Sequence, residues 1–156
     1  MGGLYRHLCR AEAVIAGTFL LAMVALIFLG GVARMLGTPL NWTTDIATCL
    51  FAWACFLCAN IAWRNNGLMA IELVTARLPG AAARALTGLN LLIISAFLAY
   101  VVIAGAELAW VSRARTFQGI PGVSYSWVTA SLPAGAVLLL ITTLLKLRDT
   151  FARARG

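Results

Sequence analysis

The chain has 156 residues, of which 62% are hydrophobic and only 11% charged, whereas an ordinary soluble domain is about 25% charged. A water-soluble monomer cannot hide that much apolar surface. The net charge of +7 sits at the ends of apolar runs rather than on a basic, aromatic surface, so no nucleic acid partner is expected.

The runs Ala13 to Val32, Ile46 to Trp63, Leu86 to Val111 and Val128 to Leu145 hold one ionisable side chain, Glu107, apart from cysteines and Tyr100. Each is about as long as the roughly 20 residues that cross a bilayer core. The expected fold is therefore an all-α integral membrane protein, one domain over residues 1–156, with four transmembrane helices at approximately 12–34, 44–63, 84–111 and 127–146. Helices are expected rather than strands because lipid offers backbone groups no hydrogen-bond partner.

Residues 1–11 form a short basic leader, and Glu12 stands at the expected entrance of helix 1, where an acid suits the positive end of the helix dipole. Gly30, Gly31 and Arg34 stand where a secretory signal has its cleavage site, so helix 1 is read as retained. In the loop "GTPLNWTTD", Thr43 or Thr44 is expected to cap helix 2, Trp42 to lie at headgroup level and Asp45 to offset the helix dipole.

Helix 2 carries Cys49, Cys55 and Cys58. It also carries Thr48, Ala52, Cys55, Ala59 and Ala62 at spacings of three or four, a stripe of small side chains that lets another helix approach closely. These are the candidate subunit-packing residues. The spacing leaves open whether the partner is a helix of this chain or of another subunit.

After Trp63 and Arg64 comes "GLMAIELVTARLPG", with Leu68, Ile71, Val74 and Leu78 at helical spacing. This predicts an amphipathic interfacial helix at approximately 67–78, ended by Pro79 and Gly80. Helix 3 is the longest span. The stretch from Ser112 to Tyr125, with Gly119, Pro121 and Gly122, is expected to be irregular. Helix 4 begins near Ser126 or Trp127, and Pro133 falls early enough to bend it or to be absorbed in its first turns.

Nine basic residues, Arg6, Arg10, Arg64, Arg77, Arg84, Lys146, Arg148, Arg153 and Arg155, fall on one side of this layout, and three, Arg34, Arg113 and Arg115, on the other. The positive-inside rule then puts both termini and the middle connection in the cytoplasm.

The C-x-x-C spacing of Cys55 and Cys58 raises redox or metal chemistry. Both fall inside a membrane helix, and buried free cysteine ordinarily serves as a small packing residue. The one histidine, His7, lies in the leader, so an axial haem pair cannot be built. Glu107 is half of an ion pair with Arg113, Arg115 or Arg34, an interface contact, or a coupling acid for a proton or cation. No nucleophile stands with a base, so no enzyme, cofactor or metal site is expected. The candidate interface anchors and ion-pair residues are Trp42, Asp45, Trp53, Trp63, Arg64, Glu107, Trp110 and Trp127.

Taken in order, these features resemble the small membrane subunit of tripartite ATP-independent periplasmic (TRAP) transporters, the DctQ-like family. The resemblance runs from helix 1 to helix 4. It is carried by Trp42 and Asp45 before helix 2, by Phe51, Trp53, Phe56, Leu57, Ala59, Ala62 and Arg64 within it, and by "SYSWVTASLPAGAVLLLI". Two positions depart from the family pattern: Cys58 stands where glycine is common, and Leu68 and Met69 stand where a histidine often follows the arginine.

The resemblance implies a non-catalytic scaffold in the inner membrane of a bacterium or archaeon. Its implied partners are a large membrane subunit that imports an organic acid with sodium, a periplasmic substrate-binding protein and membrane lipid. Two other functions are compatible with the residues: a self-contained homodimeric proton-coupled exporter using Glu107, and a membrane thiol oxidoreductase using Cys55 and Cys58.

Overall fold

A computed structural model of the protein describes residues 3–65 and 80–152. Its helices are α1 (Gly3–Met35), α2 (Asn41–Arg64), α3 (Gly80–Val111), the short α4 (Ser126–Thr129) and α5 (Ser131–Ala152), with a 3-10 turn at Ser112–Ala114 after α3. Four segments are long and apolar enough to cross a membrane: Cys9–Met35, Asn41–Arg64, Ala85–Ala114 and Ser126–Arg148. The expected all-helical, four-span fold is present. The expected interfacial helix at 67–78 lies outside the described residues.

The helix ends follow local chemistry. At the end of α1, Gly37 takes a left-handed φ of 78°. The Gly37 and Thr38 amides then donate to the Arg34 and Ala33 carbonyls at 3.2 and 3.0 Å, the paired bonds of a glycine-terminated helix. The fourth span breaks between α4 and α5 because Pro133 has no N–H and its ring crowds the carbonyl of Thr129, the last residue of α4. Bonds from the Ala130 amide to Ser126 (2.8 Å) and from Ala134 to Ala130 (3.2 Å) carry the span across that step.

Three expectations change. Helix 1 begins at Gly3 rather than near Glu12, since the leader contains no proline and "CRAEA" is rich in helix formers. Helix 2 begins at Asn41, with Leu40 at its N-cap and no side-chain cap. Thr43 instead donates to the Leu40 carbonyl at 2.7 Å, so neither threonine fills the capping role. The segment 112–125 is also more regular than expected: it folds into a small hairpin with an antiparallel bridge between Thr116 and Ser124. Its tip is a type II turn over Ile120 to Val123, closed at 3.3 Å, with Gly122 at φ 96°.

Among the described residues, α1 packs on α2, α2 on α5, and α5 on α3; α1 reaches neither α5 nor α3, and α2 does not reach α3. The four spans thus stand in single file, α1, α2, α5, α3, rather than in a closed bundle. Each seam has a small residue at its closest approach. A Cβ on Gly30 would lie 2.6 Å from Thr43 Oγ1, one on Gly105 3.2 Å from Pro133 Cδ, and one on Gly135 2.5 Å from Phe56 Cδ1. In lipid no hydrophobic force pulls helices together, and close van der Waals approach at small residues takes its place. The buried apolar residues are accordingly mostly alanines, Ala16, Ala33, Ala47, Ala54 and Ala136.

Candidate functional site

Polar side chains gather at the two ends of this row. At the end where α1 starts and α2 and α5 finish, Arg64 Nη1 lies 2.9 Å from Glu12 Oε2. Asn60, one turn earlier on α2, donates to Glu12 Oε1 at 2.7 Å and accepts from the Thr142 hydroxyl at 2.8 Å. The spacing of four places Asn60 and Arg64 on one face, so one carboxylate receives both. Beside them, Trp63 Nε1 donates to Thr143 Oγ1 at 3.0 Å, and the Thr143 hydroxyl donates to the Leu139 carbonyl at 2.7 Å. Lys146 donates to the Trp63 carbonyl, and its ammonium stands 4.6 Å from the Trp63 ring centroid.

This network links α1, α2 and α5, and its centre is buried. Asn60 is 3% exposed and Thr143 0%, and no buried side-chain nitrogen or oxygen among the described residues lacks a partner. Glu12 was expected only to offset a helix dipole at a boundary. It sits instead in the third turn of α1, because the helix starts early, and it joins α1 to α2.

At the opposite end, Asp45 Oδ2 accepts the Gly119 amide at 2.6 Å. This bond holds the hairpin onto α2. A Cβ at Gly119 would lie 2.5 Å from the Asn41 carbonyl carbon, so only glycine allows the hairpin backbone this close to the start of α2. Phe117 and Tyr125 pack edge to face at 5.5 Å. Trp53 Nε1 donates to the Trp127 carbonyl at 3.1 Å, and the Ser126 hydroxyl donates to the Ala109 carbonyl at 2.9 Å. Between Asp45, Thr48, Arg115, Gln118 and Tyr125 an open cleft of about 340 Å³ remains.

The tryptophans divide into two kinds. Trp42, Trp53 and Trp63 are half-buried, and the last two bond across helix seams. Trp110 and Trp127 are exposed, and the Arg113 guanidinium lies 4.1 Å over the Trp110 ring. Of the small-residue stripe, Thr48, Cys55, Ala59 and Ala62 are exposed and Ala52 is half-buried. The side of α2 buried within the chain is a different one, Thr43, Ala47, Ala54 and Asn60.

Cys9, Cys49, Cys55 and Cys58 are free thiols. Among the described residues no group of three or more His, Cys, Asp or Glu could hold a metal. Glu107 is exposed on α3, does not line the cleft, and makes no ion pair with Arg34, Arg113 or Arg115. Asn60, Thr142 and Thr143 were not singled out by sequence reasoning. The available signal was an amide inside the apolar run of helix 2, four residues before an arginine.

These polar groups satisfy one another, and what they do is hold helices together. A family model for the DctQ component of tripartite ATP-independent periplasmic transporters matches residues 23–153, which takes in the end of α1 and all of α2 to α5. None of the curated proteins compared with the chain matches it. With four membrane-length helices and a match over most of its length, the chain belongs to the DctQ family and is a multi-pass membrane component of a TRAP-type transporter.

Proposed function

We propose that the chain is the non-catalytic small membrane subunit that braces the large permease subunit while an organic acid, delivered by a periplasmic binding protein, is taken up with sodium. The observation that supports this most directly is the single-file row of the described spans, tied at both ends and apolar along its sides apart from Glu107. Such a row has no interior through which a solute could pass, yet its relative positions are fixed. A brace must stay still while its partner moves, and the two polar networks supply that stiffness.

In this reading the termini and the Glu12 end lie in the cytoplasm, following the distribution of basic residues, and the hairpin end faces the periplasm. The exposed stripe of Thr48, Ala52, Cys55, Ala59 and Ala62 is the seam offered to the large subunit. Close packing of small residues is what drives such association in lipid.

Co-expression with the large subunit and purification through a tag on either chain tests the proposal. The two are expected to purify together, and an Ala59→Leu, Ala62→Leu variant is expected to lose the large subunit while remaining in the membrane. Uptake that persists in full when this chain is deleted overturns the reading.

A further inference from the structure

The row leaves two edge helices, and their exposed sides differ in one respect. On α1, the exposed Leu21, Val24 and Phe28 belong to a run, Ala13 to Val32, that contains no charged residue. Lipid tails suit such a surface. On α3, the residues Phe97, Tyr100, Ile103, Glu107 and Trp110 recur at spacings of three and four and share one side. Tyr100 is 69% exposed, Ile103 67% and Trp110 68%. Glu107 lies on that side between Ile103 and Trp110 and is exposed with them.

Its depth makes the carboxylate conspicuous. Trp110, with the Arg113 guanidinium 4.1 Å over its ring, has the character of a membrane-boundary residue, an aromatic with a cation above it. Glu107 is one turn further in, about 4.5 Å along the axis at 1.5 Å per residue. Arg113, the nearest cation along the chain, is engaged with Trp110 and forms no ion pair with the acid. An ionised side chain within a span is costly in lipid and calls for a partner of opposite sign. The chain does not provide one among its described residues.

We propose that the exposed side of α3 is a contact surface for the large membrane subunit, and that Glu107 there receives a lysine or arginine carried by an apolar transmembrane helix of that subunit. This rests on the brace reading above and adds to it a second contact, on a different helix from the α2 stripe. The charge fixes the vertical register of the two subunits, since an apolar helix alone can slide along its neighbour.

A photo-crosslinking residue placed at Tyr100 or Ile103, and in separate variants at Val24 or Phe28, tests this in membranes holding the full-length chain and the large subunit. Adducts with the large subunit are expected from the α3 positions and not from α1. Glu107→Gln is expected to lower the co-purified large subunit by about fivefold, the upper range for one exposed ion pair, and Glu107→Lys by more. Both variants should remain in the membrane at wild-type level. If they do not accumulate, the crosslinks made with Glu107 intact still decide.

Adducts between two copies of this chain overturn the proposal. So does the absence of any protein adduct at Tyr100 and Ile103 while the two subunits still purify together. Failure of the unmodified subunits to purify together is a different result, and it removes the brace reading itself.

Discussion

Glu12 and Arg64, far apart in the chain, meet at 2.9 Å across the seam between α1 and α2, with the side chains only 13% and 18% exposed. Asn60 occupies the second carboxylate oxygen at 2.7 Å. The acid is therefore held on both sides, and α1, which among the described helices packs on α2 alone, is fixed in rotation as well as in distance.

Removing one member of that pair is expected to cost more than removing both. Arg64→Ala strands a carboxylate in a poorly hydrated place, a situation worth about 3 to 5 kcal/mol when fully buried; the residual exposure here puts the loss toward the lower end. The Glu12→Ala, Arg64→Ala double variant is expected to recover part of it. Thermal unfolding of the purified chain in detergent, run as a double-mutant cycle, measures the coupling.

The middle of the row should be the least tolerant of added volume. Gly135→Ala drives a methyl group into the Phe56 side chain close to its backbone, whereas Gly105→Ala meets Pro133 Cδ at 3.2 Å, a gap that a small shift relieves. Overpacking of the first kind costs about 1 to 3 kcal/mol. Gly135→Ala is expected to lower the unfolding temperature clearly further than Gly105→Ala, and equal losses would contradict the packing described.

Much of this arrangement was legible in the sequence, and the remainder was hidden for definite reasons. Apolar runs bounded by arginines gave the four spans because lipid imposes length and composition directly. Pro121 and Gly122 marked a turn, but not that Thr116 and Ser124 would pair around it, since bridge formation depends on how α3 and α4 place the two ends. The small-residue stripe on α2 was visible, whereas its exposure was not: periodicity identifies a face and never says what covers it. The role of Glu12 was hidden because it depends on α1 beginning about two and a half turns early and on a partner on another helix.

At the opposite end of the row, Asp45→Ala is expected to loosen the hairpin without unfolding the spans. The Gly119 amide loses its charged acceptor, a bond of about 1.5 to 3 kcal/mol for a charged group. Hydrogen exchange should then speed up at Gly119 and across the Thr116 to Ser124 pairing, while the amides of α2 and α5 keep their protection.

Cys55→Ala and Cys58→Ala, together, are expected to change the stability of the purified chain by no more than about 0.5 kcal/mol, because neither thiol is buried within the chain and alanine is also small. Uptake by the reconstituted transporter should be unaffected. A large loss of uptake with normal assembly would return redox chemistry to consideration.

The single seam between α2 and α5 also bears on how the protein is built. Each half, α1 with α2 and α3 with α5, is a helical hairpin whose own contacts are local in sequence, and local contacts form early. The first hairpin can be complete in the bilayer before the second has left the ribosome, and Gly135 meeting Phe56 is then the final assembly event. Two separately expressed fragments, divided within residues 66–79, should consequently find each other in the membrane and restore the whole row.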